Sequence, residues 1–357
     1  MMKGIAILGI VFYHLLAPSL LKSFLIQITD SLLISFFFFS GYFHKPGKRT
    51  IKENLKRRTK SLMVPFFKYS LLFWAIGTIQ LVATKKETLK DAFCCLRNFY
   101  AGCIWNRVIQ NWFGWEYHSL GKRYAFLADF WFLIALLFAS ILFFLVVDFL
   151  LSSKIRSITG IVLLFALTGV LCALKVDLPY NIQIVPFWTA FMVLGAFAGK
   201  YNLFEPQKLS SGAKWGVSIV CLSAGIATSL LKPATPNLFR GSFGDNPISA
   251  MVLSILASIL LIWGLCELFI LIEQAGVRTK ELSWLGSNSL VFYIYHMFFA
   301  WVFCTITGFS TQYQEPSSTK VLMQSLLLVA ACLACCILRI IIGEMISKKK
   351  LNKENGR

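Results

Sequence analysis

Apolar residues in this chain run in blocks of about twenty, separated by shorter polar stretches, and do not alternate with polar ones. Ten blocks can be drawn: Gly4–Leu21, Phe24–Phe43, Leu62–Ala83, Phe126–Leu151, Ile158–Leu174, Ile182–Gly199, Ala213–Leu231, Ile248–Ile272, Ser289–Phe309 and Val321–Ile342. A run of roughly 18 or more apolar residues is long enough to cross a bilayer as a helix. Inside hydrocarbon the backbone must satisfy its own hydrogen bonds, which a helix does within one segment. The pattern therefore predicts an all-α integral membrane protein, a polytopic bundle of about ten transmembrane helices. One membrane domain covers residues 1–347, and a short basic tail covers 348–357. No internal repeat or low-complexity tract breaks the pattern.

Charge orients the bundle. With the N-terminus on the cytoplasmic side, the segments on that side and the inner end of the seventh span hold 21 Lys and Arg. The opposite side holds 5, apart from the long loop 84–125 with its 7. Short loops dominate the positive-inside bias and long loops weigh little. Both termini are expected in the cytoplasm. The net charge of +19 then follows topology, which removes most of the case for a nucleic-acid partner. Composition agrees: 57% of the 357 residues are hydrophobic and 14% charged, where soluble domains carry about a quarter charged. The opening Met-Met-Lys and its apolar run have a signal-peptide outline, but Pro18 spoils the Ala17-Pro18-Ser19 cleavage site, and cleavage would turn the later spans against the charge bias.

Most of the ten cysteines lie inside apolar runs, where they act as small hydrophobes. Cys332, Cys335 and Cys336 share a helix without flanking His or acidic residues, so no metal site is expected there. Cys94, Cys95 and Cys103 sit in the long loop, where an oxidising compartment would permit a disulfide.

Polar side chains within spans are costly and tend to face the bundle interior or a cavity. His14 in the first span and His296 in the ninth stand out; Asp30, Lys68, Glu267 and Arg339 lie nearer span ends. Eleven residues separate Lys3 from His14, close to three turns, so both project from one helix face about 16 Å apart along the axis. His296 is seven residues beyond Ser289, at a depth of about 10 Å. The two imidazoles would share a buried cavity if the first and ninth spans are neighbours, which the sequence does not show. Lys3 alone also serves as a topology anchor, and either histidine also serves as an interhelical hydrogen-bonding residue. The run Lys56-Arg57-Arg58-Thr59-Lys60 reads either as a topology and headgroup signal or as a site for a polyanion such as a nucleotide phosphate. No phosphate-binding glycine loop is present.

Several separated stretches together resemble one family. KGIAILGIVFYH (Lys3–His14) is similar to its signature of a basic residue, ten residues and a histidine. FFFFSGY (Phe36–Tyr42), LKRRTKSLMVPFF (Leu55–Phe67), WFLIALLF (Trp131–Phe138) and LGSNSLVFYIYH (Leu285–His296) resemble its further signatures, in order and over nearly the whole chain. The family is acyltransferase family 3, the integral-membrane sugar O-acetyltransferases, and the flavour is that of its fucose 4-O-acetylase-like branch. The chain departs from the pattern at Lys3, where arginine is common, at Ser61, where a second arginine is common, and at Leu32-Leu33-Ile34, where His-Met-Pro is common.

The resemblance implies transfer of an acetyl or other acyl group from acetyl-CoA to a hydroxyl of a cell-envelope polysaccharide or its lipid-linked sugar precursor, in a bacterial cytoplasmic membrane. It implies His14 as general base, with His296 binding the acceptor, stabilising the oxyanion or bracing the bundle. Lys3, Arg57, Arg58 and Lys60 would hold the donor's phosphates. Ser40, Gly41, Trp131 and Ser289 would support packing or substrate. The donor is a cosubstrate, and no metal is implied. The partners are acyl-CoA, a sugar acceptor and membrane lipids. Trp105, Trp112, Trp115, Tyr100, Tyr117 and His118 in the long loop read either as an interfacial aromatic anchor or as part of an acceptor site. The competing function is a transporter or flippase of glycans, with His14 lining a conduit. Its expected pair of broken-helix halves is not evident.

Overall fold

A computed structural model describes residues 1–16, 20–101, 124–128, 130–176, 178–205, 210–231, 243–244, 246–277, 279–308 and 319–355. These residues are helical, without strands: α1 Met2–Leu15, α2 Leu20–Tyr42, α3 Ile51–Ala83, α4 Leu89–Tyr100, α5 Trp131–Leu150, α6 Lys154–Ala173, α7 Val185–Lys200, α8 Ser211–Leu230, α9 Pro247–Gln274, α10 Lys280–Ser287, α11 Ser289–Thr307 and α12 Thr319–Asn355. A single helical turn lies at Ala125–Ala128, and a 3-10 segment, Pro179–Ile184, leads into α7. Among the described residues nine helices are long and apolar enough to span a membrane, and α1 is a shorter apolar helix. The protein is an all-α polytopic membrane protein.

The chain forms two compact units, Met1–Thr29 with Arg278–Arg357, and Asp30–Val277. In the first, α1 packs on α10, α11 and α12, and α11 packs on α12. Glycines permit the closest approach: a Cβ added at Gly4 would overlap the Leu282 carbonyl, and Gly286 lies 3.4 Å from the Lys3 Cβ on the same test. In the second unit, α3 packs on α4 and α5, α7 packs between α5 and α6, and α8 pairs with α9, which also touches α6. Here α2 lies against α7 through a glycine seam. A Cβ at Gly41 would overlap the Met192 carbonyl, and one at Gly195 the Phe38 carbonyl. Gly195 and Gly199 form a G-x-x-x-G pair, the spacing that lets two membrane helices touch backbone to backbone.

Two expectations on helix bounds are revised. The first apolar block does not run to Leu21 as one helix. It ends at Leu15, and Leu16 takes an extended conformation with ψ of 140°. Pro18 follows, a residue without a backbone N–H that disfavours helix at the position before it. At 14 residues α1 is only about 21 Å long, short of a ~30 Å hydrocarbon core. The third helix differs in the other direction. It begins at Ile51, so the basic stretch is its first turns. A reciprocal cap starts it: Thr50 Oγ1 accepts from the Glu53 N–H at 3.2 Å, and the Thr50 N–H donates to Glu53 Oε2 at 2.9 Å. The helix then continues through Pro65.

Candidate active site

In the first unit the packing of α1 on α11 makes the first and ninth predicted spans neighbours and brings His14 and His296 together. Their ring centroids are 5.4 Å apart, with the planes inclined at 52°. His14 occupies the last turn of α1, so the broken first helix delivers an imidazole at its tip. It is half-buried, with the Tyr13 ring edge-on at 4.8 Å. His296 is two turns into α11, beyond the half-buried Ser289 that begins the helix, and is 0% exposed. Its Nδ1 lies 3.0 Å from the Phe292 carbonyl oxygen and 2.9 Å from that of Tyr293. Carbonyl oxygens only accept, so Nδ1 carries the proton and donates. The neutral ring therefore keeps its lone pair on Nε2. Tyr293 flanks the ring at 6.1 Å. One helix position before His296, Tyr295 receives a hydrogen bond on its hydroxyl from Arg339 Nε at 3.3 Å, with the guanidinium 5.6 Å from the ring centre.

Lys3 is half-buried at the start of α1, beside Gly286 of α10. Since α1 is continuous from Met2 to Leu15, the predicted register holds. Lys3 and His14 share a face three turns apart.

In the second unit the basic stretch divides by helical phase. On one helix Arg58 points about 100° from Arg57 and about 160° from Lys60, so Arg58 faces away from Lys60. Arg57 and Lys60 are exposed, whereas Arg58 turns inward. Its Nε donates to Ser140 Oγ at 3.1 Å and its Nη2 to Ser40 Oγ at 3.2 Å. Both serine hydroxyl protons are already committed to their own helices, Ser40 to the Phe36 carbonyl at 2.7 Å and Ser140 to the Leu136 carbonyl. Each serine therefore presents only lone pairs to the guanidinium. Among the described residues no carboxylate pairs with Arg58, and three of its five N–H groups have no hydrogen bond. The guanidinium is thus held by neutral acceptors, and its planar fork has the geometry that pairs with phosphate or carboxylate.

Trp131 starts α5, half-buried, with its ring 5.8 Å from Trp188 of α7. Phe37 stacks on the other ring of that pair, 5.3 Å from Trp188 and 8° from parallel. The aromatic run before Ser40 thus packs α2 onto α7, and Gly41 allows the approach. Sequence reasoning missed Ser140, Trp188 and the Gly195–Gly199 pair. A lone hydroxyl in the apolar run of α5 and the small-residue spacing in α7 were the available signals. In the long loop, Cys103, Trp105, Trp112, Trp115, Tyr117 and His118 lie outside the described residues. Cys94 is a free thiol, Cys95 is buried, and the Tyr100 hydroxyl shares a hydrogen bond with Ser70 at 2.8 Å. Among the described residues no three His, Cys, Asp or Glu side chains gather as a metal-binding group.

Comparison with known proteins gives one match. A family model described as an acyltransferase domain covers residues 1–340. No curated protein and no solved structure matches the chain.

Proposed function

The chain belongs to acyltransferase family 3 and is a membrane acyltransferase; from that premise we propose that it moves an acetyl group from acetyl-CoA to a hydroxyl of a cell-envelope polysaccharide or its lipid-linked sugar precursor, in a bacterial cytoplasmic membrane. The observation that carries this reading is the His14–His296 pair, two imidazoles 5.4 Å apart with one fully enclosed. An acyl transfer to a hydroxyl needs a base that is neutral near pH 7, and imidazole is the side chain suited to it.

His14 is the general base. The acceptor hydroxyl gives its proton to the neutral His14 ring as its oxygen bonds to the thioester carbonyl carbon. The tetrahedral adduct collapses, the C–S bond breaks, and the proton passes from the imidazolium to the departing thiolate. The products are an O-acyl ester and free coenzyme A. His296, with its proton held on Nδ1, presents a neutral ring beside the base, and its Nε2 lone pair takes part in moving the hydroxyl proton to the departing thiolate. The pair then carries no net charge until the hydroxyl proton arrives, which favours proton uptake by His14. Arg58 takes a donor phosphate with its uncommitted N–H groups, and Ser40 and Ser140 aim it. Lys3 is a further cation for the donor's phosphates, and exposed Arg57 and Lys60 supply longer-range attraction that salt screens.

The test is release of coenzyme A by the purified protein given acetyl-CoA and a sugar acceptor. His14→Ala should abolish release while the protein stays folded and still binds acetyl-CoA. Full turnover in that variant would remove the general base, and no binding of acetyl-CoA by the wild type would remove the donor.

A further inference from the structure

The C-terminal ends of three apolar helices, α2 at Tyr42, α5 at Leu150 and α7 at Lys200, surround a cavity of about 490 Å³ in the second unit. Its polar lining is His44, Lys45, Asp148, Ser152 and Lys200, set among Phe43, Leu151 and Ala196. It uses none of His14, His296 or Arg58. We propose that this cavity binds the headgroup of a zwitterionic phospholipid of the phosphoethanolamine kind, the Lys45 and Lys200 ammoniums taking the phosphate and the Asp148 carboxylate taking the lipid's primary amine.

Depth is the first argument. Tyr42, Leu150 and Lys200 end helices apolar enough to span, so the cavity lies where hydrocarbon gives way to headgroups. Charge is the second. A simple anion site would have no use for a carboxylate in its wall, whereas a ligand carrying both signs uses Asp148 together with the two lysines. Three helix C-termini, with their partial negative charge, also favour a cation there.

Preparation is the third argument. Lys200 is steered by a hydrogen bond from its Nζ to the Leu151 carbonyl. The His44 ring sits edge-on to Phe143 at 5.2 Å and near Phe144 at 5.9 Å. Its Nε2 is shielded from solvent and has no hydrogen-bond partner among the described residues. A buried polar atom of that kind is costly unless something meets it, and a headgroup oxygen or amine would. Size is the fourth. At about 30 Å³ per water the cavity equals roughly sixteen waters, well beyond a lone phosphate.

The experiment is native mass spectrometry of the full-length protein released from detergent in the presence of phosphatidylethanolamine, phosphatidylglycerol, free O-phosphoethanolamine or adenosine 3′,5′-bisphosphate, with thermal unfolding as the folding control. Phosphatidylethanolamine should be retained one per chain, ahead of phosphatidylglycerol. Asp148→Asn should lower retention of phosphatidylethanolamine about tenfold, the scale of one charge-assisted hydrogen bond, and leave phosphatidylglycerol unchanged. Lys45→Gln, at an exposed position, should weaken both lipids. Equal retention of phosphatidylethanolamine by the wild type and by both variants would overturn the proposal. So would preference for phosphatidylglycerol, binding of free O-phosphoethanolamine as tight as that of the lipid, or displacement of the lipid by the nucleotide.

Discussion

Replacing His296 by asparagine and, separately, by glutamine distinguishes a catalytic ring from a structural one. In the folded protein Nδ1 donates to the carbonyls of Phe292 and Tyr293, while Nε2 is the atom left to act on the proton. An asparagine amide reaches the place of Nδ1 and keeps that donor. A glutamine amide reaches the place of Nε2 and gives the donor up. The side chain is 0% exposed, so losing the donor costs about 1–3 kcal/mol of stability, whereas asparagine loses mainly packing. A ring that takes part in proton transfer contributes about 10²–10⁴-fold to turnover. Asparagine should therefore leave the thermal unfolding midpoint in detergent near that of the wild type, yet lower kcat for coenzyme A release by at least about 10²-fold. Glutamine should be the less stable variant. Wild-type turnover in His296→Asn would refute the reasoning and leave His296 as a brace between α11 and its neighbours.

Three further outcomes are expected. Ser140→Ala removes an acceptor from Arg58, worth about 1.5–3 kcal/mol for a bond to a charged group, and should raise KM for acetyl-CoA by about tenfold or more, with a smaller effect on kcat; an unchanged KM in steady-state assays would separate Arg58 from the donor. Gly195→Leu must push α7 off the Phe38 carbonyl of α2 and should cost at least about 1–3 kcal/mol, read as a lowered unfolding midpoint. Burial, opposed in part by the Asp148 charge, holds His44 below the usual imidazole value of about 6.5. The unfolded chain then takes up a proton before the folded one, so stability falls as pH drops from about 6.5 through the lowered value. Midpoints at pH 7.5 and 5.5 should draw closer together in His44→Gln, and an unchanged gap would assign the pH loss to other groups.

Some of the site was legible along the chain because it lies on single helices. The register of Lys3 with His14 needs only 3.6 residues per turn, and it holds in α1. The inward turn of Arg58 was hidden because the basic stretch read as a cytoplasmic segment, and only its helical start at Ile51 sets the phase that parts it from Arg57 and Lys60. Ser140 was passed over because a single hydroxyl in α5 carries no local signal of its partner 82 residues away.

The sequence by itself determined that this chain lives in a membrane as helices and the family of acyltransferases to which it belongs. These follow from block length, from the cost of unsatisfied backbone in hydrocarbon and from motifs read in order. Only the tertiary structure decided that His14 meets His296, that two serines on different helices grip one arginine, and that three helix ends enclose a mixed-charge cavity. Those pairings depend on which helix faces fit closely, through glycines such as Gly4 and Gly195 and through aromatic packing such as Phe37 on Trp188. Complementarity of that kind belongs to pairs of surfaces, and no single segment encodes it.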